Sequence, residues 1–171
     1  ILIPAAKAGK RVVRLHTGDP SVYGAHREQM DALKAAGVPF AVCPGVSSFF
    51  GAAASLGAEY TLPGVSQTVI LTRAAGRTPV PEKERLSALA AHGASMVLFL
   101  SAGRVAEAVS ELLAGGYYTR ETPAAVVYKA TWPDERILRT TLGELAKEAE
   151  AAGITKTALL LIGDFLGAAY E

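Results

Sequence analysis

The chain is poor in cysteine, in histidine and in net charge, and each shortage removes a class of function. A single cysteine, Cys43, stands among 171 residues, so no intrachain disulfide can form. A lone thiol fits a reducing compartment, and a cytoplasmic location is expected. Cys43 follows strand-like residues and has no neighbour that would lower its pKa, so it is expected to be a small buried apolar residue rather than a nucleophile. The three histidines, His16, His26 and His92, lack metal-ligand spacing, and no metal site is expected. Lys and Arg total 17 against 16 for Asp and Glu, a net charge of +1. No broad positive field would draw a polyphosphate backbone, so nucleic acid is not an expected partner. No apolar run is long enough to span a bilayer and no signal-peptide pattern is recognisable, so no membrane partner is expected either. The first residue is Ile1 rather than Met, and the sequence is expected to lack the protein's true N-terminus.

What is present is a globular composition: 50% hydrophobic residues, 17 Gly and 9 Pro, enough chain for one sizeable core or two small ones. β-Branched and apolar runs alternate with helical periodicities. Strands are expected at 11–16, 40–43, 68–72, 96–100, 124–128, 136–140 and 158–162, and helices at 26–36, 50–56, 82–91, 105–114 and 142–152. Gly37, Pro44-Gly45 and Gly115-Gly116 punctuate them. Strand–helix alternation implies an α/β class with mostly parallel strands, since parallel neighbours need crossovers. Leu62-Pro63-Gly64 reads as a linker, giving a first domain over 1–64 and a second over 65–171.

In such sheets a ligand sits beyond the carboxyl ends of the strands. Five loops are expected to leave that edge: Thr17–Tyr23, Pro44–Ser48, Thr72–Pro81, Ser101-Ala102 and Lys129–Asp134. In the first, Gly18 lets the backbone approach a ligand, Asp19 can accept from neighbouring amides, and Pro20 fixes φ. An ordinary turn would use the same three residues.

Read together, HTGDPSVYGA, VCPGVSSFFGAAA, SQTVILTRAAGRTPVPE and VVYKATWPDE resemble the tetrapyrrole methyltransferase family, and the last two resemble its C11-methylating, corrin-pathway branch. The likeness runs in order along the whole chain. It implies a two-domain tetrapyrrole methylase fold, S-adenosylmethionine as cofactor (S-adenosylhomocysteine as product), a tetrapyrrole substrate and a homodimer. The family's opening strands and Gly-rich loop have no counterpart here, so the first domain is expected to be incomplete. Two readings stay beside this one: a relative with another acceptor, and a non-catalytic dimerising module.

The resemblance assigns Gly18, Asp19, Pro20, Val22, Tyr23, Ser47 and Ser48 to the cofactor loops, and Leu100, Ala130, Thr131 and Ala158 to the adenosine pocket. Ser47 and Ser48 serve equally as helix caps, and the four pocket residues equally as core. A tetrapyrrole fringed with carboxylates suits Arg73 and Arg77, with Arg27 and Lys129 joining them, although an exposed cation needs no partner. Glu28, in the first turn of a helix, is the candidate proton acceptor; the same position suits an acid complementing the helix dipole. His26 is a weaker candidate, and His16 is read as structural. Tyr128 and Trp132 either pack on a macrocycle or close the core.

Overall fold

In the computed structural model, which describes residues 1–168, five strands pair into one sheet: β1 (Val69–Arg73), β2 (Ser95–Phe99), β3 (Pro123–Tyr128), β4 (Arg136–Thr141) and β5 (Ala158–Ile162). Their spatial order is β1-β2-β5-β3-β4. Only β1 and β2 pair in parallel; β2 with β5, β5 with β3, and β3 with β4 are antiparallel. The expectation of mostly parallel pairing is therefore corrected. β5, last in sequence, inserts between β2 and β3, and the short connection from β3 to β4 leaves no room for a crossover helix.

Every residue of β2 and β5 is buried, which suits their uninterrupted apolar sequences and central positions. Alternate residues Met96, Leu98, Ala124, Val126, Leu160 and Ile162 belong to one core cluster. That cluster also takes Leu86 and Ala90 from α4 (Leu86–Ala90), Leu112 from α5 (Val105–Ala114), and Leu145 and Ala149 from α6 (Leu145–Ala151). In α5 the buried Val105, Ala108, Val109 and Leu112 recur at helical spacing, as the sequence predicts. The residues between them on the sheet, Val97, Ala125, Val127, Leu159 and Leu161, are buried too. Tyr60 and Phe165, both buried, stack with ring centroids 5.1 Å apart.

The residues fall into two compact units, one from Ile1 to Phe50 and one from Gly51 onward. The sheet and the core cluster lie in the second, as does the expected linker at 62–64. The first contains the helices Leu2–Lys7 and Arg27–Ala35, and the helix Ser48–Leu56 begins at its end. Within it only Pro20 and Ser47 are buried.

Segments 11–16 and 40–43, expected as strands, are not strands. Their β-branched composition favours extended backbone, but a strand requires a ladder partner, and neither has one among the described residues. Without that cover, Cys43 is exposed rather than buried, as are Val13 at 71% and Leu15 at 83%.

Candidate functional site

The turn Gly18-Asp19-Pro20 and the turn Pro44-Gly45 meet within the first unit. Asp19 uses both carboxylate oxygens on backbone: Oδ2 accepts from Gly45 N at 2.7 Å and Oδ1 from Ser21 N at 2.8 Å. These donors, Gly45 foremost, hold the Asp19 carboxyl below its ordinary pKa. The backbones also touch, since a Cβ on Gly45 would lie 2.2 Å from the Gly18 carbonyl oxygen. Gly45 is therefore required by close approach rather than by conformation. Gly18 has φ +67° and lies beside Ser47 and Ser48, where an added Cβ would stand 3.4 Å from Ser47 Cα. Pro20 and Ser47 are buried, Val22 is half-buried and Tyr23 is exposed. Ser48 opens its helix. His16 and His26 rings meet edge to face at 5.9 Å.

The second unit builds its own edge. β1, β2 and β3 run in one direction and β4 and β5 in the other, so Arg73, Phe99, Tyr128, Arg136 and Ala158 end or begin at the same side of the sheet. Three of the five expected loops leave this edge: the one after Arg73, the one after Phe99 and the one after Tyr128. Leu100, Ala130, Thr131 and Ala158, which the family resemblance groups together, are at or next to one sheet edge.

Backbone strain concentrates there. Among the described residues six non-glycines have positive φ, and four of these are Leu100 (54°), Lys129 (49°), Thr131 (69°) and Thr157 (56°). The other two, Tyr23 (56°) and Ala25 (48°), follow the Gly18-Asp19-Pro20 turn. Left-handed backbone at a leucine or threonine costs roughly 1–3 kcal/mol and persists where surrounding contacts impose it. Lys129 N donates to Thr157 O at 2.9 Å, Trp132 N to Lys129 O at 2.9 Å and Glu135 N to Trp132 O at 3.0 Å, which closes the 129–135 connection into successive turns. Leu100 is 74% exposed, an apolar side chain held in the open.

The cations divide by what already engages them. Arg73 donates to three carbonyls of its own loop: Nη1 to Thr78 O at 2.9 Å and Ala74 O at 3.3 Å, and Nη2 to Pro79 O at 2.9 Å. Arg104 adds a bond from Nη1 to Ala75 O at 2.8 Å. Buried Ser101 joins the ends of β1 and β2, accepting from Ala74 N at 2.9 Å and donating to Phe99 O at 2.8 Å. Arg77 remains exposed at the tip of the loop so fixed. Lys129 pairs with Asp134 and lies 5.2 Å from the Tyr128 ring and 5.4 Å from Trp132. Arg27 pairs with Asp31 at 3.0 Å, both exposed. Glu28 is exposed in the first turn of its helix.

From the sequence Ser101 is expected only as part of a loop, and Arg104 is not singled out. Their signal was weak: a serine after an apolar strand, and an arginine before a helix.

A family model described as Tetrapyrrole (Corrin/Porphyrin) Methylases matches residues 1–146. The chain is 52% identical over 170 residues to a protein of Methanocaldococcus jannaschii named cobalt-precorrin-4 C(11)-methyltransferase, and that match takes in 99% of this chain and 65% of that protein. An X-ray structure titled as a cobalamin biosynthetic enzyme, cobalt precorrin-4 methyltransferase, matches with a TM-score of 0.94 and 49% identity, over 98% of this chain and 70% of that one. The uroporphyrin-III C-methyl transferase of Thermus thermophilus, solved in complex with S-adenyl homocysteine, matches with a TM-score of 0.80 and 28% identity, over 96% of this chain and 71% of that one. The chain spans just under two thirds of the length of the Methanocaldococcus protein.

Proposed function

The chain belongs to the tetrapyrrole (corrin/porphyrin) methylase family, and on that premise we propose that it serves an S-adenosylmethionine-dependent C-methyltransferase. The substrate is a corrin precursor, precorrin-4 or its cobalt form, methylated at C11 in cobalamin biosynthesis. The observation that carries this reading is the sequence identity, along nearly the whole chain, to a protein named for that reaction. We assign the protein to a homodimer, as the family resemblance implies, and to the cytoplasm, which its lone cysteine suits. Among the described residues no helix is long and apolar enough to cross a membrane.

The residues present fit the cofactor. Ala130 is small, which suits a flat adenine, while the Ala158 side chain is buried in the core cluster. Leu100 offers exposed apolar surface, and Thr131 a hydroxyl and backbone. Ser47 and Ser48, at a helix start, carry hydroxyl and amide donors suited to the methionine carboxylate. Gly18, Pro20, Val22 and Tyr23 form the loop assigned beside them, and Asp19 acts by holding that loop to Gly45.

When bound, S-adenosylmethionine supplies a methyl group on a sulfonium, so the protein's share of the work is alignment and electrostatics. Arg77 is assigned to substrate carboxylates, with Lys129 and Arg27 as further cations. Arg73 shapes the Arg77 loop with three of its five N–H donors, and its remaining donors are assigned with Arg77 to substrate carboxylates. Glu28 is assigned to accept the proton that the conjugated acceptor gives up as the methyl group is added.

Calorimetric titration with S-adenosylhomocysteine tests the cofactor assignment, and micromolar binding is expected. Transfer of labelled methyl to the tetrapyrrole, with and without cobalt, tests the acceptor and identifies its form. No binding of S-adenosylhomocysteine would overturn the reading in favour of the non-catalytic module.

A further inference from the structure

We propose that Glu135 is a positioning residue for the turn at Ala130-Thr131, joining it to the helix Ser48–Leu56 through one carboxylate oxygen. The proposal rests on the reading above for the identity of the ligand. Glu135 Oε2 accepts from Thr131 N at 2.5 Å and from Ser55 Oγ at 2.7 Å. Gly51 lies four residues before Ser55, on the same helix face. A Cβ there would stand 3.2 Å from Thr131 Cγ2 and 3.7 Å from Ala130 Cβ. The helix and the turn therefore meet twice, once by contact at Gly51 and once through the carboxylate. Arg139 donates to Leu56 O, tying the end of the same helix to β4.

Thr131 is β-branched and has φ 69°, a backbone it would not adopt unaided. The bond from its N–H to Glu135 closes the turn in that state. Removing the carboxylate leaves the Thr131 amide and the Ser55 hydroxyl without this acceptor, and only the packing at Gly51 then joins turn and helix. The two donors also hold the Glu135 carboxyl below its ordinary pKa.

Because both bonds end on the same oxygen, an amide oxygen can replace it. Glu135→Gln preserves both bonds, whereas Glu135→Ala removes both.

S-adenosylhomocysteine affinity is measured by calorimetry on the full chain and these variants, at a temperature where circular dichroism shows each folded. Glu135→Ala is expected to weaken binding about tenfold or more. Glu135→Gln is expected to restore it to near the parent value, a rescue that loss of a charge alone would not give. Ser55→Ala, which removes one bond, should fall between and decides the matter if Glu135→Ala does not fold. If the parent binds and Glu135→Ala (or, in its place, Ser55→Ala) binds equally well, the positioning role is overturned and the function stands. If Glu135→Gln loses as much as Glu135→Ala, the role is likewise overturned. If the parent itself does not bind, the functional reading falls, and the cofactor role of Glu135 with it.

Discussion

Asp19 shows how one carboxylate can organise two turns through their backbone amides, each of its oxygens accepting from one. These bonds favour the ionised form, and the Asp19 pKa lies below the ordinary value. A depressed carboxyl pKa means that the tie is at full strength above the unfolded-state value, about 4. It weakens only as the pH falls through the lower folded-state value. The amide proton shift of Gly45, followed by NMR, should therefore titrate with a midpoint below about 4. In Asp19→Asn the same step should vanish. A midpoint at or above the ordinary value would remove the organising role. Arg73 and Arg77 show how a fold can engage one of two like groups and leave the other exposed. Four residues apart in one loop, they are equivalent in sequence. Only the carbonyls of Ala74, Thr78 and Pro79, gathered by the fold around the Arg73 guanidinium, separate them.

At the scale of elements, burial on both faces is what holds the sheet together. Leu98 is fully buried in β2 and pairs in register with Leu160 of β5. Leu98→Ala should destabilise by about 2–5 kcal/mol, because a leucine-sized cavity opens where neighbours on both sides are fixed. Val13→Ala, at a position 71% exposed, should change stability by no more than about 0.5 kcal/mol. Denaturant unfolding of both variants measures the contrast, and equal effects would mean that the core does not lie where burial puts it. The positions of β2, β5 and α5 were legible in the sequence, because unbroken apolar runs and helical spacing report burial directly. The direction of β5 was not, since pairing depends on residues thirty or more positions away in sequence. Segment 11–16 misled for the same reason: its composition is that of a strand, but composition does not supply a partner. Of the site, the loops at the sheet edge were legible through their Gly, Pro and small residues. The Glu135 link was not, because Ser55 lies 80 positions away and nothing in the chain marks it as a partner.

At the scale of the whole molecule, burial is unevenly distributed. Every buried large apolar side chain among the described residues lies at or beyond Leu56, while Pro20 and Ser47 alone are buried in the first unit. Amides that open only with the core exchange hydrogen at the rate of global unfolding, and amides without partners exchange almost freely. Exchange monitored by mass spectrometry should therefore find β2, β3 and β5 the slowest segments and 11–16 among the fastest. Ligand binding adds a second expectation, because a ligand stabilises the segments it orders. S-adenosylhomocysteine should slow exchange across 17–23 and 44–48 and around 129–132, while leaving the Leu2–Lys7 helix unchanged. Slowing at none of those loops would overturn the cofactor assignment. Slowing spread evenly over the chain would show that the ligand acts on global stability instead.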